Sequence, residues 1–221
     1  MHQSSPYPSS LTDDQWEEMQ PQLPSRPGGG RPPLHHYRDI LDAIFYLLRT
    51  GCAWRFWPHD YAPWPTVYGD FRRWRQQGVW KRIHDCLVKR VRVAAHKKPT
   101  PSAGILDSQS VRGADQAGVR GCDAGKKIKG RKRHVLVAAL GLIHAMKISV
   151  ASAQDRDGAR SVLPRLRHHG SRLRLIGAAG GYAGALVAWG WQVRARRRVR
   201  LEIVKRHEQQ RGFAVLPKRW I

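Results

Sequence analysis

Residues 97–111 read KKPTPSAGILDSQSV, from Lys97 to Val111. Two changes meet in this stretch. Lys97-Lys98-Pro99-Thr100-Pro101 cannot continue a helix, because proline lacks the amide donor and its ring clashes with the preceding turn. Beyond it the apolar spacing changes. Upstream, apolar residues recur three and four apart; downstream, they fall in the short runs expected of strands. The stretch therefore divides a helical half from a half built on a sheet.

Upstream, Leu11-Thr12-Asp13-Asp14-Gln15-Trp16 reads as a helix start. Thr12 caps, Gln15 is its capping-box partner, and Leu11 and Trp16 are placed for a hydrophobic staple. That helix stops before Pro21. PSRPGGGRPP (24–33) reads as a loop whose Arg26 and Arg31 either follow phosphates or sit in a plain linker. Tyr37 to Thr50 is an amphipathic helix with Ile40, Leu41, Ile44, Leu47 and Leu48 on one side, and Gly51 stops it. Most of Trp54, Phe56, Trp57, Tyr61 and Trp64 are expected to fill the core, the alternative being base stacking. Thr66 to Gln77 is a second helix, ended by Gly78, with Val67, Phe71 and Trp74 inward. Arg72, Arg73 and Arg75 fall outside that stripe, as a DNA-reading helix or a merely solvated face requires. A third helix runs from Trp80 to about His96, with Trp80, Ile83, Leu87, Val91 and Ala94 expected inward. Helix–turn–helix packing suits the region.

Downstream, Ile105–Val111, His134–Leu140 and Ala145–Val150 read as strands, and Asp157–His168 as a helix interrupted at Pro164. Leu173–Ala178 and Leu201–Val204 are further strands, with Phe213–Leu216 another candidate. Strands first, then strand and helix alternating, give an α/β domain with a mixed sheet, α+β over the whole chain. The expected organisation is a disordered start (1–10), a helical domain (11–96), a linker (97–103) and the sheet domain (104–221).

The 221 residues suit one or two domains. Forty Lys and Arg against 16 Asp and Glu leave a net charge of +24, so the expected partner is a polyanion. The longest apolar run, Val135 to Ile143, is too short to span a bilayer. Met1 to Ser10 lacks the cationic start and apolar core of a signal peptide. The three cysteines form no CxxC, which points away from a zinc ribbon or disulfide framework and towards a reducing cytoplasm.

Asp107 follows the apolar pair Ile105-Leu106 and precedes Ser108-Gln109-Ser110. A carboxylate at a strand end can hold a divalent metal, or it can be an ordinary turn residue. The run Lys126-Lys127-Ile128-Lys129-Gly130-Arg131-Lys132-Arg133 holds six cations in eight residues. Gly125 and Gly130 would let the backbone follow a phosphate ladder, and each contacted phosphate would release counterions; the plainer reading is a solvated hairpin. Arg194 to Arg200 is a second basic cluster. The adjacent pairs His35-His36 and His168-His169 cannot share a helix face, so neither suggests a metal site. Gly180-Gly181 makes no phosphate-binding loop.

These residues carry a resemblance. YRDILDAIFYLLRTGCAWR (Tyr37–Arg55) and PWPTVYGDFRRWRQQGVWKRI (Pro63–Ile83) resemble the N-terminal helical region of bacterial insertion-sequence transposases of the DDE type, in the insertion sequence five group. ILDSQSV, RGCDAGKKIKGRKRHVLV, QDRDGA, AAGGYAG and GFAVLPKRW follow in the family's order. The resemblance covers nearly everything from Leu11 to Ile221. It implies a ribonuclease-H-like domain in which three acidic residues hold two Mg²⁺ ions. One ion activates water or a 3′-hydroxyl, and the other stabilises the leaving oxygen. The implied reactions are strand cleavage at the element ends and transfer into target DNA.

The resemblance places Asp107 at the first acidic position, as the catalytic and metal-binding residue. The second normally falls in ADGGY; here the motif is Ala178-Ala179-Gly180-Gly181-Tyr182, with Ala179 in place of the aspartate. The third is a glutamate shortly after the RW of LPKRW, and this sequence stops at Ile221, right after Arg219-Trp220. Ala138 also stands where the family usually has Asp. Asp155, Asp157 and Glu202 are conceivable substitutes to which the motif gives no such role.

Three readings follow. One is an active transposase. A second, favoured by Ala179, is a catalytically impaired copy with an incomplete sheet domain. It still binds double-stranded DNA at terminal inverted repeats through Arg72, Arg73, Arg75, Lys126, Lys127, Lys129, Arg131, Lys132 and Arg133. Such a copy would self-associate or inhibit a full-length transposase by mixed assembly, in the cytoplasm on nucleoid DNA and away from membranes. The third, a basic RNA- or ribosome-binding protein, offers no reason for the ordered motifs. Whether the chain is an enzyme stays open at this point.

Overall fold

The computed structural model describes residues 7–25, 34–113, 118–167, 172–184 and 199–204. The loop arginines Arg26 and Arg31, the pair His168-His169, most of the cluster at 194–200, the candidate strand 213–216 and the LPKRW motif lie outside them. The chain divides into two compact units, Met1–Leu87 and Val88–Ile221. The division falls within a helix, not at the prolines near residue 100.

In the first unit, α1 (Asp13–Met19) starts with the expected capping box. The Gln15 amide donates to Thr12 Oγ1 at 3.3 Å and the Thr12 amide to Gln15 Oε1 at 3.1 Å. Pro21 falls in a single 3-10 turn, Gln20–Gln22. α2 (Tyr37–Thr50) is capped by His36, whose Nδ1 accepts the Arg38 amide, while Asp39 accepts the His36 amide. Gly51 ends it with a φ of 67°, where a side chain would strain the backbone. Asp42, buried in α2, accepts the Leu11 amide at 2.7 Å, and Arg38 donates to Leu11 O and Asp13, so the start of α1 is tied to α2.

α3 (Trp64–Gln76) begins before Thr66 because Pro65 sits in the first turn, where its missing donor costs no helical bond. α4 (Val79–Ala94) follows the turn at Gln77–Gly78. Ile40, Leu41, Ile44, Val67, Trp74 and Ile83 form the core with Trp57 and Tyr61. Phe56 and Trp64 are exposed, the exceptions in an aromatic segment expected to be mostly core. Tyr7 to Ser10 also depart from the expected disorder: Tyr7 packs on Tyr46 and Tyr61 and donates to Asp60 at 2.7 Å. Towards the end of α4, Val91 and Ala94 face solvent, while Arg92 is 5% exposed.

The second unit carries β1 (Ala103–Arg112), β2 (Gly121–Asp123), β3 (Ile128–Val137), β4 (Ile143–Val150), α5 (Asp155–Val162), β5 (Leu175–Ala179) and β6 (Arg200–Val204). The path is β2-β3-β1-β5-β6, with β4 also on β3. β1 to β4 pair antiparallel, whereas β1, β5 and β6 run parallel. Leu106, Leu136, Val162, Leu166, Ile176 and Tyr182 make the core on the α5 side. As expected, Pro164 interrupts the helical stretch, which tightens to a 3-10 turn over Leu163–Arg167. Two boundaries differ more. β3 starts at Ile128 instead of His134, and it ends at Val137 because Leu140 turns left-handed (φ 71°).

Candidate functional site

Asp107 lies in the middle of β1, not at its end. The strand runs on through Ser108-Gln109-Ser110 because alternation buries both serines and both hydroxyls find acceptors. Ser108 Oγ donates to Asp155 Oδ1 at 2.8 Å, and Ser110 Oγ to Asp123 Oδ2 at 2.5 Å. Asp107 therefore points to the opposite, exposed face.

Register fixes its neighbours. Asp107 pairs with Val135 of β3. In β5 the last registered pair is Leu106 with Ala178, so Asp107 and Ala179 are each the next residue along. Alternation puts both on one face, with strands about 4.8 Å apart. Ala179 pairs in turn with Val204 of β6. The row Val135–Asp107–Ala179–Val204 thus holds one carboxylate. Two divalent ions held close together need several anionic oxygens to offset their repulsion. Among the described residues no group of three or more His, Cys, Asp or Glu could hold a metal. These residues do not fit a two-metal centre.

Nor do the conceivable substitutes gather there. Asp155 binds Ser108 from the other face of the sheet. Asp157 is paired with Arg160 on α5. Glu202 pairs with Gly177 in β6, two strands from β1 and two residues short of the Asp107 row.

The basic run splits in two. Lys126 and Lys127 sit in the β2–β3 turn, with Lys127 at φ 52°. Lys129, Arg131 and Arg133 are exposed on β3. Arg131 pairs with Val111 and Arg133 with Gln109, so these arginines share the face of Asp107. Arg133 is its diagonal neighbour, with about 7–8 Å between Cα atoms. Lys126 Nζ reaches Ser108 O at 3.3 Å.

Lys132 departs from the expected phosphate contact. It is 6% exposed, and its Nζ lies 3.2 Å from both Asp123 and Asp155 and 2.9 Å from Ala153 O. Burial works to lower its pKa, but the two carboxylates outweigh burial and hold it above the ordinary value. The Ser110 hydrogen bond, with help from Lys126 and Lys132, holds Asp123 down at about 2. Gly130 does not serve to follow phosphates either: a side chain there would overlap Val111 O of the paired strand. His134, buried beside this network, exchanges a hydrogen bond with Ser149 Oγ at 2.8 Å, and burial lowers its pKa. Sequence reasoning missed this polar layer. Its signal was the period-two spacing of Ser108 and Ser110 against Lys132 and His134.

In the first unit, Arg72, Arg73 and Arg75 are exposed on α3, and Arg73 forms an ion pair with Asp70.

Residues 11–84 match the family model described as "Putative transposase of IS4/5 family (DUF4096)". Residues 98–221, more than half of the chain, match "Transposase DDE domain". The chain belongs to the DDE transposase family. After the helical region, the mixed sheet with its helix is the ribonuclease-H-like architecture of that domain. One curated relative is the Insertion element IS402 uncharacterized 16.2 kDa protein of Burkholderia cepacia, 31% identical over 46% of this chain and 72% of that protein. Another, Uncharacterized protein y4sN of Sinorhizobium fredii, is 35% identical over 36% of this chain and 63% of its own length. Among the described residues of this transposase-family chain no helix is long and apolar enough to cross a membrane.

Proposed function

We propose that this chain binds double-stranded DNA at the terminal repeats of an insertion sequence and is impaired in the metal-dependent strand cleavage and transfer of its family. The observation that carries the proposal is the row holding Asp107 beside Ala179. A methyl group there gives a divalent ion no oxygen, while the cationic surface next to it is intact. Lys126, Lys127, Lys129, Arg131 and Arg133 contact backbone phosphates from the sheet unit, and Arg72, Arg73 and Arg75 contact DNA from α3. Lys132 contributes only through the fold. Mg²⁺ is the metal the family would use, and Asp107 is its one ligand among these residues. The role left to such a copy is occupancy of element ends, or mixed assembly with an active transposase in the cytoplasm.

The test is binding to a duplex taken from the DNA flanking this chain's own coding sequence. Affinity should fall with salt with a slope of about −0.9 per phosphate bound, and an RNA of equal length should compete poorly. Equal competition by RNA would overturn the reading.

A further inference from the structure

α4 ends in a way that folds its next residues back over it. The Lys97 amide donates to Arg92 O at 2.8 Å and the His96 amide to Val93 O at 2.9 Å, with His96 at φ 55°. This double bond to the last turn is a Schellman closure, with histidine in the left-handed position that glycine usually takes. It brings Lys98 O onto Arg92 Nε at 2.9 Å. A cavity of 280 Å³ opens beside this turn, lined by Arg92, Lys97, Lys98, Thr100, Ser102 and Arg172, among others. Every charged residue in its lining is a cation.

Cations at a helix C-terminus complement the helix dipole, which accounts for Lys97 and Lys98 on the surface. It does not account for Arg92. That side chain is 5% exposed, and its Nη1 is buried without a hydrogen-bond partner. Arg172 Nη1 is held to Thr100 O at 3.1 Å, which fixes a second guanidinium at the same cavity. Burial and the nearby Arg172 charge both push the Arg92 pKa down. A buried unsatisfied donor on a charged group is costly. A planar donor fork beside a second one suits an oxyanion.

We propose that the cavity between Arg92 and Arg172 is a binding site for a phosphate group. The ligand is the phosphodiester of a DNA backbone or a free phosphate; both present the same tetrahedral oxyanion. The DNA source rests on the DNA-binding reading above, whereas the site itself does not.

Thermal melting of the full chain in chloride buffer, with inorganic phosphate titrated at constant ionic strength, tests the site. Wild type is compared with Arg172→Gln and Arg92→Met. At a ~100-fold excess over Kd, saturation predicts a rise in Tm of roughly 5–10 °C in wild type, and its loss in Arg172→Gln. Arg92→Met should lose the same rise; if it fails to fold, Arg172→Gln decides alone. An equal rise in wild type and Arg172→Gln, or no rise in wild type, overturns the site. The salt slope of DNA binding then separates the sources. A slope shallower by about 0.9 in Arg172→Gln assigns the site to the DNA backbone, and an unchanged slope with the melting effect intact assigns it to free phosphate. A wild type that binds no DNA would overturn the DNA reading while the melting result still decides the cavity.

Discussion

Asp107 and Ala179 stand side by side, each one residue beyond the paired Leu106 and Ala178, on two parallel strands, with Asp107 exposed and Ala179 half-buried. A carboxylate and a methyl group are therefore neighbours across the two strands. The proposed impairment makes a direct prediction at Ala179.

Ala179→Asp would place a second carboxylate beside the first. Repulsion at this spacing should destabilise the metal-free chain by roughly 1–3 kcal/mol at neutral pH, and Mn²⁺ should restore the loss. Titration calorimetry with Mn²⁺ should show saturable binding in Ala179→Asp and none in wild type. Equal binding by both would mean that other groups form the metal site.

Lys132→Met should leave Asp123 and Asp155 without their shared cation. Breaking a buried ion pair on one side costs about 3–5 kcal/mol, read by urea denaturation. The salt slope of DNA binding should stay unchanged, because Lys132 faces inward. Arg131→Gln and Arg133→Gln should do the reverse: near-wild-type stability, and a slope shallower by about 0.9 for each phosphate that the variant no longer binds.

Gly158→Ala should be disruptive although the change is one methyl. An added Cβ would overlap the ring of His134, which is fully buried and hydrogen-bonded to Ser149. Overpacking at such a contact costs about 1–3 kcal/mol. A melting curve within a degree or so of wild type would refute the packing described.

Asp123 makes stability pH-dependent at the acid end. Its carboxyl is held at about 2, against about 3.9 in an unfolded chain. A depressed carboxyl stabilises the fold above the unfolded value, and the stabilisation is lost as pH falls from about 4 to about 2. Tm should fall more steeply across that window in wild type than in Asp123→Asn. Parallel curves would contradict the assignment.

Much of this was legible in the residues, and the misses have physical causes. α2 was clear because its apolar positions repeat at helical spacing and Gly51 marks its end, whereas its His36 N-cap is not a residue type that announces one. The first half of β3 was hidden because alternate cations, Lys129, Arg131 and Arg133, look like a solvated run when the residues between them are Gly130 and Lys132. A buried lysine is recognisable only once Asp123 and Asp155 are known to meet it. The chemistry of Val91 points inward, yet Arg92 takes the buried place because the chain turns back at His96 and supplies Lys98 O. Asp107 and Ala179 could be named from motifs; that they are neighbours is a fact of register.

The most direct measurement is one gel with the flanking-DNA duplex, Mg²⁺ and then Mn²⁺, run with wild type and Asp107→Ala. The account predicts a retarded band and no strand cleavage in either protein. Cleavage by wild type that disappears in Asp107→Ala would contradict it.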